Sequence, residues 1–154
     1  REYGELKNAY SLAKSILSAR ENGEILTTED LKEAVKKHVP PHKSNKILAQ
    51  LFQAIRIEVN DELKALKEML LQSVDLLKEG GRLSVISYHS LEDRLVKNLI
   101  KSGNFKGEIE KDFYGVPKVI LKAISKKPIT ASEEELESNP RSRSAKLRVS
   151  EKLA

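Results

Sequence analysis

The sequence predicts an α/β chain, and three observations carry that expectation. A glycine turn, a β-branched run, a polar cluster and a helix start follow without a gap in Gly80-Gly81-Arg82-Leu83-Ser84-Val85-Ile86-Ser87-Tyr88-His89-Ser90-Leu91-Glu92-Asp93-Arg94. Apolar residues recur every three or four positions from Leu48 to Leu77, which is helical spacing. The last third instead reads as short extended segments between Gly, Pro and Asn punctuation.

Taken in order, residues 3–21 place Tyr3, Leu6, Tyr10, Ala13, Ile16 and Leu17 on one helical face, with Gly23 ending the helix. Thr28 is a favourable N-cap for a second helix through about His38, with Leu31 and Val35 inward, before Pro40-Pro41 breaks it. These two helices read as an accessory unit over 1–43, leaving 44–154 as the main unit. The stripe Leu48, Phe52, Ile55, Val59, Leu63, Leu66, Leu70, Val74 and Leu77 reads as one long helix with room for a bend near Asn60. Beside it Gln53, Arg56 and Asn60 project within about 60° of one another. Leu83 to Ile86 is a strand and Leu91 to Lys101 a helix. Phe105 to Lys111 and Lys118 to Ser125 read as strands around the turn Tyr114-Gly115-Val116-Pro117. Ser132 caps a short helix to Ser138, and Ala145 to Glu151 forms a last strand.

Ligands of open α/β sheets bind beyond the carboxyl ends of the strands, which makes Ser87, Tyr88, His89 and Ser90 a candidate site. Ser90 followed three residues later by Asp93 also reads as a helix cap with a first-turn carboxylate, so a structural reading stands beside the functional one.

The 28 Lys and Arg against 23 Asp and Glu give a formal net charge of +5, compatible with an anionic partner without demanding one. Arg141, Arg143, Lys146, Arg148 and Lys152 crowd the last stretch behind Glu133, Glu134, Glu135 and Glu137. A phosphate-contacting tail and a solvated surface both fit, because no aromatic residues interleave the basic ones. With no cysteine and three scattered histidines, no metal site is expected. No apolar run approaches the roughly 20 residues of a membrane span, so the expectation is a cytoplasmic protein with no membrane partner. No glycine-rich run such as GxGxxG occurs, so no cofactor-binding residue is assigned.

Five blocks in order, Tyr3-Gly4-Glu5, Leu51 to Leu63, the Gly80-Gly81 strand ending Ser-Tyr-His-Ser-Leu-Glu-Asp-Arg, Lys127-Pro128-Ile129 and Asn139 to Arg148, resemble one family along nearly the whole chain. It is the RsmH/MraW family of bacterial methyltransferases, which methylate the N4 amino group of a cytidine in small-subunit (16S) ribosomal RNA. The resemblance implies the C-terminal half of a Rossmann-like class I S-adenosylmethionine-dependent methyltransferase fold, with 1–43 part of an inserted helical domain. The family's glycine-rich S-adenosylmethionine loop, and the acidic residue after its second strand, have no counterpart. The chain also opens on Arg1 without methionine. It therefore reads as a fragment, inactive alone, with the cofactor site on a missing half.

On this resemblance Tyr88 stacks on the target cytosine and His89 accepts a hydrogen bond, or both simply hold the strand tip. Arg94, Arg141, Arg143 and Arg148 form a basic rim for RNA, and Gln53, Arg56, Asn60, Ser87, Ser90 and Asp93 support the pocket. A non-catalytic RNA-binding or assembly module is the competing reading. The strand Leu83 to Ile86 is expected to keep an open edge, through which the fragment self-associates.

Overall fold

In the computed structural model, which describes residues 2–154, the chain divides at Glu62/Leu63 into two units. Arg1, the residue that opens the sequence, lies outside the described residues.

The first unit contains α1 (Ala9–Asn22), α2 (Thr28–Val35) and α3 (Ser44–Val59), with short 3-10 turns at Lys36–His38 and Pro41–Lys43. α1 starts well after the position that apolar spacing predicts. Glu2-Tyr3-Gly4 is a turn, followed by Glu5 at φ 50°, and the Gly4 backbone lies so close to α3 that a Cβ there would meet the Gln50 carbonyl oxygen at 2.9 Å. Tyr10, expected inward, is 82% exposed, and the core here is built on the buried Leu6, Leu12, Val35 and Leu51. Leu51 of α3 shares that core, and this compact unit runs to Glu62.

α2 is capped by Thr27, not Thr28. The Thr27 hydroxyl accepts from the Asp30 N–H at 3.1 Å and the Asp30 carboxylate accepts from the Thr27 N–H at 2.8 Å, a reciprocal capping box. Hydrogen bonding to the carboxyl from the Thr27 side chain, then from the Thr27 and Leu26 backbone N–H groups, holds Asp30 below its usual range. The single long helix is in fact two, α3 and α4 (Glu62–Leu76), because Asp61 adopts φ 51° between them. A left-handed residue cannot continue an α-helix.

The second unit adds β1 (Arg82–Ser87), α5 (Ser90–Ser102), β2 (Leu121–Ala123), α6 (Glu133–Ser138) and β3 (Lys146–Lys152). The sheet order is β1-β3-β2, with β3 antiparallel to both neighbours. Leu83 and Val85 of β1 pack with Leu70 and Val74 of α4, Val96, Leu99 and Ile100 of α5, and Leu121 of β2. Ile86 alternates to the opposite face and is 58% exposed. Among the described residues β1 pairs only with β3, so its other edge carries no strand.

The hairpin expected over 105–125 is mostly absent. Its first arm forms no strand, a single bridge joins Lys111 to Pro117, and the second arm is limited to the three residues of β2. The Asp112 carboxylate explains part of this, since it accepts from the N–H groups of Tyr114 (2.9 Å) and Val116 (2.8 Å) and so satisfies the backbone locally. Phe113, Tyr114 and Val116 remain exposed, so no burial favours a longer ladder. α6 is capped by Ser132 as its sequence indicates.

Gly103 closes α5 in the left-handed region at φ 71°, and a Cβ there would meet the Lys118 carbonyl oxygen at 2.7 Å. Gly103→Ala combines backbone strain with a backbone clash, and is expected to destabilise the protein by at least about 1 kcal/mol. A denaturant midpoint equal to that of the wild type would show that this turn relaxes freely.

Candidate functional site

The strand-to-helix junction after β1 is built by one carboxylate. Glu92, three residues into the junction, accepts from the Tyr88 N–H at 2.9 Å and from the His89 N–H at 3.3 Å. The cap of α5 is therefore His89, not Ser90, and His89 Nδ1 accepts in return from the Glu92 N–H at 3.4 Å. With Nδ1 serving as acceptor, the neutral ring carries its proton on Nε2. Nε2 lies 3.4 Å from Glu92 Oε1, within ion-pair range, yet it is buried and makes no hydrogen bond among the described residues. The ring's one acceptor nitrogen is therefore used by the helix, and its Nε2 is enclosed.

The remaining junction residues divide by exposure. Ser87 is buried and its hydroxyl donates weakly to the Lys146 carbonyl at 3.4 Å. Ser90 is exposed at the first position of α5. The Tyr88 side chain is 58% exposed.

Asp93 and Arg148 meet each other. The guanidinium donates through Nε to Oδ1 at 2.7 Å and through a terminal nitrogen to Oδ2 at 3.2 Å, and both side chains are less than 15% exposed. Lys146 Nζ lies 3.6 Å from the same carboxylate. Burial pushes the Asp93 carboxyl up, but the hydrogen bond and charge of Arg148, with Lys146 adding, outweigh it and hold the group below its ordinary value. Arg148 thus ties β3 to the first turn of α5 instead of presenting its charge at the surface. Lys152 is engaged too, donating at 2.8 Å to the carbonyls of both Val74 and Leu77 at the end of α4.

Arg141 and Arg143 are exposed on a 3-10 turn over Pro140–Ser144. That turn leads directly into β3, whose first residue, Lys146, is opposite Ser87. The antiparallel register therefore puts this turn and the Ser87–Ser90 tip at the same end of the sheet. Arg94, exposed one turn into α5, belongs to that end as well.

Gln53, Arg56 and Asn60 belong to the first unit, where they line a cleft of about 580 Å³. Gln53 donates to the Tyr3 carbonyl at 3.5 Å. Glu62 organises the other two, taking two hydrogen bonds from Arg56, at 2.7 and 3.0 Å, and one from Asn60 at 3.2 Å. Glu62 and Glu92 are the residues that the sequence reading missed. The available signal for Glu92 was its place three residues after His89, the capping-box position.

Both junction carboxylates are committed, Glu92 to backbone N–H groups and Asp93 to Arg148, so neither is left to hold a ribose. None of the positive-φ glycines, Gly80, Gly103, Gly107 and Gly115, falls within the Ser87–Ser90 tip. No group of three or more potential metal ligands occurs among the described residues, and no helix is long and apolar enough to cross a membrane.

The chain is 60% identical over its full length to the ribosomal RNA small subunit methyltransferase H of Amoebophilus asiaticus. It is 58% identical over 99% of its length to the protein of that name from Flavobacterium johnsoniae, and 53% identical over 98% to that from Parabacteroides distasonis. In each case it spans about half the length of the relative. Residues 1–153 match the MraW methylase family, and the chain belongs to that family.

Proposed function

We propose that the protein carrying this chain is an S-adenosylmethionine-dependent methyltransferase acting on the N4 amino group of a cytidine in 16S ribosomal RNA. The observation that carries this reading beyond family membership is the tip after β1. It presents an exposed aromatic ring, Tyr88, at the strand end where ligands of α/β sheets bind, with Arg94, Arg141 and Arg143 exposed at the same end of the sheet. Ribosomal RNA is gripped by stacking on unpaired bases and by phosphate contacts, and this arrangement offers both.

The acceptor sets the chemical problem. The N4 lone pair is conjugated into the cytosine ring, so the amine must be held in line with the incoming methyl group while one of its protons is lost. In this reading Tyr88 stacks on the base, the three arginines position the flanking phosphates, and His89 holds the junction in shape through its cap. The buried Asp93–Arg148 pair fixes α5 against β3, keeping Tyr88 and Arg94 in register. Because both carboxylates at the tip, Glu92 and Asp93, are engaged within the fold, we assign the cofactor to protein outside this stretch. The unpaired edge of β1 supports a larger Rossmann-like sheet continuing there, and in isolation the same edge favours self-association.

Small ribosomal subunits lacking the modification test the reading. Incubation with the intact protein and S-adenosylmethionine should yield N4-methylcytidine in a nuclease digest analysed by mass spectrometry, while the 154-residue chain alone should yield none. A methyl group on another base or ring position would overturn the N4 assignment. Product from the chain alone would overturn the cofactor assignment.

A further inference from the structure

Lys127-Pro128-Ile129 is a segment that the tip does not use. It is nonetheless tightly held, since Ile129 and Leu147 exchange two backbone hydrogen bonds of 2.8 Å and the Ser125 hydroxyl donates to the Lys127 carbonyl at 2.8 Å. The loop so fixed forms one wall of a cleft of about 520 Å³, whose other wall is α5. Val119, Leu121 and Pro128 contribute apolar lining, and Lys97, Lys101, Lys126 and Lys127 supply the charge. No carboxylate lines the cleft, and none of these four lysines forms an ion pair among the described residues. Arg148 also reaches the cleft, but its guanidinium is held by Asp93.

Four lysines brought together without a counter-charge repel one another, an arrangement that becomes favourable when a polyanion occupies the cleft. Arg94, Lys97 and Lys101 fall within about 60° of one another around α5, giving a basic stripe. At 1.5 Å per residue, Lys97 and Lys101 lie about 10 and 16 Å along the axis from Ser90, so the stripe leads from the tip to the cleft.

We propose that this cleft is a second RNA contact site, in which a single-stranded segment flanking the target nucleotide lays its phosphates on Lys97, Lys101, Lys126 and Lys127 with a base or ribose against the apolar lining. The proposal rests on the reading that the protein acts on RNA. It adds a contact some distance from the reacting base, supplied by residues that the tip does not include.

The test uses the intact protein and a fluorescein-labelled single-stranded RNA, with affinity measured over a range of potassium chloride. The quadruple variant Lys97→Gln, Lys101→Gln, Lys126→Gln, Lys127→Gln should lower the slope of log affinity against log salt by about 2 to 3, because each single-strand phosphate contact contributes about 0.7. A control removing the same charge elsewhere in the second unit, at the exposed residues Lys64, Lys78, Lys106 and Lys122, should leave the slope near that of the wild type. Equal slopes for the two variants would overturn the cleft and leave only a net-charge effect. If the wild-type protein does not bind RNA, the functional reading itself fails. If it binds RNA and methylates subunits while the cleft variant retains the full slope, only the cleft proposal fails.

Discussion

Arg148→Ala is expected to remove roughly 3–5 kcal/mol of stability, because it leaves the buried Asp93 carboxylate without its bidentate partner. Exposed ion pairs are worth about 0–1 kcal/mol, so the size of the loss separates a buried tie from a surface contact. Replacing both partners with apolar residues, as in Asp93→Leu with Arg148→Met, should cost less than the single change, since no uncompensated charge remains. Urea unfolding of the three proteins measures both effects, and a single-variant loss below about 1 kcal/mol would place the pair in solvent. The acid limb gives an independent check. The folded Asp93 carboxyl lies below its ordinary value of 3.8, so its contribution is fully present above that pH and is lost as pH falls through the lowered folded value. Asp93→Asn should lack this acid-side loss while being less stable at neutral pH.

That pair also shows what the sequence could and could not convey. Asp93 and Arg148 were both recognisable as charged residues in suggestive places, but their meeting across 55 positions depends on sheet register, which no local pattern carries. Alternation in Leu147-Arg148-Val149 even suggests the opposite orientation, with the apolar pair inward. In the sheet Arg148 is opposite Val85 on the helix-covered face, and Leu147 shares the other face with exposed Ile86. β1 and α5 were legible because apolar alternation, a polar junction and helical spacing all agree within twenty residues. The cap was misassigned because serine is the commoner N-cap, whereas here His89 occupies that position and Glu92 completes the box. The long stripe from Leu48 to Leu77 kept its period across a backbone break at Asp61, so periodicity alone could not show that two helices had formed. In the 105–120 segment β-branched residues were present, but Asp112 closed a local turn and Phe113, Tyr114 and Val116 stayed exposed.

Tyr88→Ala in the intact protein is expected to lower kcat/KM for small ribosomal subunits by about 5- to 150-fold, the range that follows from about 1–3 kcal/mol for one base stacked on an aromatic ring. The side chain is 58% exposed and the junction is held through the Tyr88 backbone N–H, so its removal should leave the melting temperature close to that of the wild type. Tyr88→Phe keeps the ring and should keep most of the activity. His89 should behave differently. His89→Asn preserves a side-chain acceptor for the Glu92 N–H and should retain most of the turnover, whereas His89→Ala loses the cap and should lower stability and turnover together. Equal loss of turnover in both His89 variants without a change in melting temperature would instead assign the imidazole a role in turnover beyond the cap. Unchanged kcat/KM in Tyr88→Ala at subsaturating RNA would remove the ring from the substrate path and reduce the junction to a structural turn.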